Sequence, residues 1–387
     1  MELYIHIPFC VRKCAYCSFA SFPASEEDKD AYVSLLLREA ELRRGEYNDS
    51  VETVYIGGGT PSLLSGTQFG RLTDGIRTLF QFAPSAEFSV EANPGTLTKQ
   101  FLSSAVSAGV NRISLGMQAY QERLLEFLGR IHTFSDVKKS VSLARDAGIK
   151  NLNLDLIFGI PGQTVSEWSE TLDAALSLLP DHISAYGLIP EEGTPLFHML
   201  ETGQASLPDP EEERDMYNLA VQRLHRAGLF QYEISNFARE NRECRHNIGY
   251  WTQIPYLGLG LSAASMRILE HNQDGLTCLR TTNPSDPVVY REMIFTGDPS
   301  RAVSETVLPD ESRFESMMLF LRMTRGISDE EFIALHGISP ADCFGDKLES
   351  MRRKGLILHE KGSWKLSRRG MDIQNSILVE LMEDHSH

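Results

Sequence analysis

The sequence predicts an α/β fold, a partial or full (β/α) barrel with a winged-helix-like α+β domain at the C-terminal end. Three observations predict it. Short β-branched runs alternate with amphipathic stretches through the first half of the chain. Polar or glycine residues stand at the ends of those runs. After a loosely patterned middle the chain turns helical again and closes on two short strand patterns around Gly362.

Taken in order, the strand patterns cover 3–7, 53–57, 87–91, 112–117, 151–158 and 182–188. Helical periodicity falls between them at 27–44, 67–80, 99–108, 135–147 and 165–178, and Thr164 with Glu167 reads as a capping box opening the last. Strand starts roughly 25 to 50 residues apart have the length of βα units, and unbroken alternation of this kind builds a parallel sheet. In such a fold chemistry belongs at the carboxyl ends of the strands. There the sequence places Cys10 to Cys17 after the first strand, Gly57-Gly58-Gly59-Thr60-Pro61 after the second, Glu91 and Asn93 at the third, Gln118 after the fourth and Asp155 in the fifth. One polar residue in an apolar strand is usually a satisfied hydrogen-bonding group, whereas five consecutive strands ending this way point to a shared site.

Beyond Pro190 the acidic stretch Pro208-Asp209-Pro210-Glu211-Glu212-Glu213 opens a further helix reaching Ala227, and a strand-like 232–236 follows. Next comes Arg245-His246-Asn247-Ile248-Gly249-Tyr250-Trp251. Residues 281–309, rich in Pro, Thr and Ser, read as a linker. The expected organisation is therefore a barrel over 1–280, a linker over 281–309 and a winged-helix-like domain over 310–387, with its hairpin at 356–359 and 364–366.

The 387 residues suit two or three domains, and 42% hydrophobic with 23% charged residues is an ordinary globular composition. A net charge of −16 argues against a nucleic-acid partner. The tail carries 11 Lys and Arg against 14 Asp and Glu, so its wing need not bind DNA. No apolar run approaches the roughly 18 to 20 residues of a membrane span, and MELYIHIPFC lacks the pattern of a secretory signal. Six cysteines are too sparse for an oxidised framework. A reducing cytoplasm is the expected address.

Half of those cysteines crowd into Cys10-x-x-x-Cys14-x-x-Cys17. One compact loop with this spacing can aim three thiolates at one corner of an iron–sulfur cubane, leaving one iron of a [4Fe–4S] cluster open. A zinc site needs a fourth ligand from a second knuckle; His6 is near in sequence, but no second knuckle is visible.

CxxxCxxC after a first strand, followed by GGGTP after the second, resembles the radical S-adenosylmethionine (SAM) superfamily. The resemblance implies that the open iron chelates the amino and carboxylate groups of SAM, and that an electron from the cluster releases a 5′-deoxyadenosyl radical. Tyr4-Ile5-His6-Ile7-Pro8-Phe9-Cys10 and Asn153 to Gly162 further resemble the oxygen-independent coproporphyrinogen III oxidase family over essentially the whole chain. Carried over position by position, the implied SAM contacts are Tyr4, Tyr16, Gly58, Gly59, Thr60, Glu91, Gln118, Arg130, Asp155 and Ile189. Their chemistry suits the roles. Tyr16 offers a face to adenine, Glu91 and Asp155 accept from amine or ribose hydroxyls, and Arg130 pairs with a carboxylate.

The oxidase pattern has a further cysteine where this chain has Phe19. That departure, with His246-Asn247-Ile248-Gly249-Tyr250-Trp251 matching an HNxxYW signature, resembles the HemW-like branch, whose members are heme chaperones. The resemblance implies heme as a third ligand with contacts at His246, Tyr250 and Trp251, a reductant protein, and heme-accepting partners that include membrane cytochromes reached by peripheral contact. Cys244 reads as a buried free thiol, His198 and His225 as surface or core residues, and His132 as a residue at the edge of the cleft. The alternative is a radical enzyme that decarboxylates two propionates of coproporphyrinogen III or modifies a related tetrapyrrole.

Overall fold

Six parallel strands, taken in chain order, form the body of the protein in a computed structural model that describes residues 1–47, 49–272 and 275–382. They are β1 (Glu2–Ile7), β2 (Val51–Gly58), β3 (Phe82–Ala92), β4 (Arg112–Gln118), β5 (Asn151–Phe158) and β6 (His182–Gly187), each hydrogen-bonded in parallel to the next. Between them run α1 (Glu26–Arg43), α2 (Gly66–Leu79), α3 (Lys99–Ser107), α4 (Glu122–Phe127), α5 (Phe134–Asp146) and α6 (Val165–Ser177). Reciprocal capping boxes fix the starts of several of these helices, including Ser25 with Asp28, Ser65 with Gln68 and Thr164 with Glu167. Helices α7 (Pro195–Glu201) and α8 (Pro210–Arg226) complete the first half.

The sheet grows to twelve strands by additions at both sides. At one edge lie β7 (Phe230–Gln231) and β8 (Asn236–Ala238), antiparallel to their neighbours. After α9 (Arg245–Trp251), β9 (Tyr256–Leu259) pairs in parallel with β1, and β10 (Ala264–Asn272), β11 (Gly275–Thr282) and β12 (Val303–Val307) extend it antiparallel. Strands β7 and β12 end the sheet, so the barrel is partial.

Alternation along each strand divides the side chains between two faces. From β1, Leu3, Ile5 and Ile7 join Val33, Leu36 and Ala40 of α1 in the fully buried outer core, each large apolar side chain contributing about 1.5–3 kcal/mol. Glu2, Tyr4 and His6 point to the inner face, where the chemistry-bearing residues gather.

Two segments differ from the sequence reading. Residues 281–309, which composition reads as a linker, hold the end of β11, α10 (Pro287–Thr296), a 3₁₀ turn and β12. Pro287 stands in the first turn of α10, where a missing N–H costs nothing, and Asp286 caps that helix by accepting from the Val288 and Val289 amides. Residues 232–236 are mostly the turn between β7 and β8, because Glu233 is drawn inward and accepts from Ser235 N and Asn236 Nδ2.

The tail begins at α11 (Pro309–Phe320) and continues through β13 (Ile327–Ser328), α12 (Asp329–His336), α13 (Pro340–Arg353), β14 (Ile357–Glu360), β15 (Ser363–Leu366), α14 (Arg368–Asp372) and α15 (Gln374–Met382). It has its own core around Phe320, Phe332, Leu348, Ile357 and Trp364. Lys361 and Gly362 both take positive φ, 53° and 73°, as a two-residue hairpin turn requires. Strand β13 pairs with β15 of the hairpin, and the helices α12 and α13 between them with this three-stranded sheet give the winged-helix-like pattern.

Candidate functional site

The loop after β1 carries Cys10, Cys14 and Cys17 across the barrel mouth, and contacts from three sides hold it. Phe22 O accepts from the Cys10 amide, Leu128 O from the Ala15 amide, and Cys14 O from the Cys17 amide. Gly59 and Thr60, after β2, donate their amides to Ile7 O and Phe9 O. A Cβ on Gly59 would lie 2.7 Å from both of those oxygens, so only glycine lets the two loops close. The Thr60 hydroxyl lies 3.5 Å from Cys10 Sγ and accepts from Asn93 Nδ2 at 2.7 Å.

The three thiols, all half-buried, border one cavity of about 490 Å³. Burial pushes the Cys14 and Cys17 thiols up, and the neighbouring sulfurs add to it. Among the described residues no three Cys, His, Asp or Glu side chains converge on a single-ion site. Three thiols on one rim, with no fourth donor beside them, suit a cluster that takes one thiolate per iron.

Opposite the sulfurs, β3 and β5 supply Glu91 and Asp155. Glu91 accepts from Tyr55 OH (2.8 Å) and from the Gly58 amide (3.0 Å), and burial, helped by the Asp155 charge, pushes its carboxyl up to about 7. Asp155 accepts from Ser114 Oγ (2.9 Å) and Asn153 Nδ2 (2.8 Å), and burial raises it too. Arg130 donates from Nη1 to Asn93 Oδ1 and from Nη2 to Tyr16 OH, both at 2.6 Å, and leaves Nε buried without a partner. Gln118 ends β4 at φ 65°, a left-handed conformation costing about 1–2 kcal/mol in a non-glycine residue, where the β4–β5 register breaks. Gly116 gives its side chain room: a Cβ there would come within 2.8 Å of Gln118 Nε2.

The cavity thus brings together Cys10, Cys14, Cys17, Tyr16, Gly58, Gly59, Glu91, Gln118, Arg130, Asp155 and Ile189, the last 70% exposed, and is also lined by the exposed Phe19. Thr60 stands behind Cys10. Sequence reasoning placed Asn93 at this site and missed Tyr55, Ser114 and Tyr186, which border the same cavity; the alternation of β2 and β4 was the available signal for Tyr55 and Ser114. It also missed Arg112, almost fully buried, with Nε and Nη1 unpaired.

Tyr4 lies elsewhere. It borders a second cavity of about 470 Å³, walled by β1, β9, β10 and β11 and covered by Tyr250 and Trp251 of α9 and by α11. His246, read from sequence as a heme contact, borders neither cavity. It is 1% exposed, Nδ1 is bonded to Thr53 Oγ1 (2.7 Å) and Nε2 to Tyr250 OH (2.9 Å), so the ring has no free nitrogen. Burial, with the Arg112 charge, drops its pKa to about 3 and keeps it neutral. Cys244 is likewise buried, its thiol pushed up to about 12 chiefly by burial. His132 bonds to Met117 O and lines a neighbouring cleft, while His198 and His225 border neither cavity.

Comparison with known proteins fits this geometry. The radical SAM superfamily matches residues 4–175, and the HemN C-terminal domain matches 307–373. The heme chaperone HemW of Bacillus subtilis (strain 168) is 37% identical over 379 residues, covering 97% of each chain. The heme chaperone HemW of Escherichia coli (strain K12) is 35% identical over 383 residues, covering 98% of this chain and 97% of its own. Among solved structures, coproporphyrinogen III oxidase (HemN) from Escherichia coli, described as a radical SAM enzyme, matches with a TM-score of 0.82 over 98% of this chain and 89% of that one. At 22% identity that likeness shows the shared fold.

Proposed function

The chain belongs to the family of HemW heme chaperones, and from that premise we propose that it binds heme, holds a [4Fe–4S] cluster and SAM at the barrel mouth, and delivers heme to acceptor proteins without oxidising coproporphyrinogen. The observation that carries the reading is the mouth itself: three thiols on one rim, a carboxylate pair and a partly unpaired arginine facing them, and Phe19 where the oxidase pattern has a fourth cysteine.

When bound, the cluster supplies one-electron chemistry and an iron vertex open to ligands. This chain's residues do the rest. Cys10, Cys14 and Cys17 hold the cluster, and Thr60 orients Cys10. The free Nε of Arg130 offers a donor to the methionine carboxylate of SAM. Glu91 and Asp155 are acceptors for its amine and ribose hydroxyls, the Gly58–Gly59 backbone admits the methionine chain, and Gln118, Tyr16 and Ile189 bound the nucleoside. Tyr250 and Trp251, half-buried against the second cavity, supply flat apolar surface for a macrocycle.

Reduced thiols are needed for cluster ligation, so we place the protein in the cytoplasm, served by a reductant protein. No helix among the described residues is long and apolar enough to cross a membrane, and we propose peripheral contact with membrane cytochromes as one route of heme delivery. Anaerobic reconstitution tests the reading. The expected results are iron–sulfur absorption that a Cys10, Cys14, Cys17 triple alanine variant lacks, stable uptake of hemin, and no protoporphyrinogen from coproporphyrinogen III with SAM and reductant. Robust turnover of coproporphyrinogen III overturns it in favour of the oxidase.

A further inference from the structure

We infer that the second cavity binds heme with a propionate on Arg280, and that Glu315 of the tail competes with that propionate for the same guanidinium. This rests on the heme reading above and adds its site and its control.

The cavity's walls are chiefly aromatic and sulfur-bearing. Met266 of β10 lies opposite Tyr256 of β9 and Arg280 of β11, and Cys278 shares their face. Tyr250 and Trp251 close one side, and Met318 and Leu319 of α11 the other. A volume of about 470 Å³ lies within the roughly 300–1,000 Å³ of pockets that bury small molecules. A flat apolar ligand fits such walls, and the charge present says what its edge carries. Of the described residues bordering the cavity, Arg280 and Glu315 are the only charged ones, and they are bonded to each other. The second Arg280 nitrogen reaches Glu305 at 3.5 Å.

An arginine fork suits a carboxylate of any origin. Exchanging the Glu315 carboxylate for a ligand carboxylate leaves the guanidinium paired, whereas an apolar ligand without one would have to fit around an existing ion pair. Glu315 lies on α11, the first helix of the tail, and its neighbour Ser316 bonds to Gln253 at the end of the α9 segment and to His336 of α12. Displacing Glu315 from Arg280 therefore releases one of the polar ties between the tail and the barrel, and re-forming it favours release of the ligand. Heme binding and the seating of the tail become linked through one ion pair.

The two partners of that pair respond with opposite signs. Full-length, cluster-loaded protein is titrated anaerobically with hemin and with hemin dimethyl ester, following Soret absorbance and quenching of tryptophan fluorescence. Glu315→Gln removes the competitor and tightens hemin about fivefold. Arg280→Met weakens it tenfold or more, and the double variant R280M/E315Q, which strands no buried charge, is as weak as Arg280→Met. With the diester neither single variant departs from wild type by more than about twofold. If wild type binds hemin but both single variants weaken it alike, or neither changes it, the Arg280–Glu315 inference is overturned and the heme reading stands. If wild type binds no hemin, both fall.

Discussion

Glu2 is a carboxyl that the structure holds neutral, and replacing it with glutamine measures how firmly. Its side chain is 1% exposed and lies beneath α9; Oε2 has no hydrogen-bond partner, and His246 Nδ1 is 3.9 Å away. Burial, partly offset by a bond to Thr53 and reinforced by Glu87, pushes Glu2 from 4.5 up to about 9. Because His246 is pushed down to about 3, the two groups face each other uncharged rather than as an ion pair. The sign follows from proton linkage. Between pH 4.5 and about 9 the folded protein keeps a proton that the unfolded chain releases, so Glu2's contribution is full below 4.5 and is lost as pH rises toward 9. Each pH unit in that window costs about 1.4 kcal/mol. Glu2→Gln carries no titration, so wild-type stability should fall against the variant by about 2.7 kcal/mol between pH 6 and pH 8. The amide has its own cost, about 1–3 kcal/mol for an unpaired buried N–H. That offset is independent of pH, which makes the slope the decisive quantity. Urea unfolding of both proteins at pH 6, 7 and 8 measures it. Parallel stability curves would refute the reasoning and mean that Glu2 is ionised in the fold.

Gly59→Ala puts a methyl group 2.7 Å from the carbonyls of Ile7 and Phe9. Overpacking against backbone should cost about 1–3 kcal/mol in urea unfolding and lower the iron bound after reconstitution; normal iron content would show that the cysteine loop tolerates the displacement. Gln118→Gly relieves the left-handed strain but adds unfolded-state entropy, so stability should hold within about 1 kcal/mol. SAM affinity by equilibrium dialysis should drop roughly tenfold, the scale of one lost hydrogen bond to a charged ligand. An unchanged affinity would show that Gln118 only shapes the strand end.

The parallel half of the fold was legible because its signals are local. Alternation and helical period place the six strands and five of the six intervening helices, most of them close to their observed bounds, and the end of each strand is where the site lies; the short α4 was not read, and β3 begins five residues before its pattern. The HNxxYW segment shows the opposite case. Imidazole and two aromatics read as ligand chemistry, but the partners of His246 come from β2, 193 residues away, and from Tyr250 on the same helix. Burial by distant strands, which no local pattern carries, gives both ring nitrogens protein partners. The misread linker has the same cause: prolines and threonines at 281–309 suit a loop, and pairing of β12 with β11 made a strand of Val303–Val307.

Those long-range contacts also join the two cavities. Tyr55 borders the cluster mouth and bonds to Glu91. Its ring stacks on His246 at 5.2 Å, and His246 meets Tyr250 edge-on at 4.8 Å in the wall of the second cavity. The neutral imidazole is thus packed between Tyr55, which borders the first cavity, and Tyr250, which borders the second. Both of its ring nitrogens are bonded, and burial, with the Arg112 charge, keeps it neutral. His246 thus holds the Tyr250 hydroxyl from one ring nitrogen while the other is bonded to Thr53 of β2.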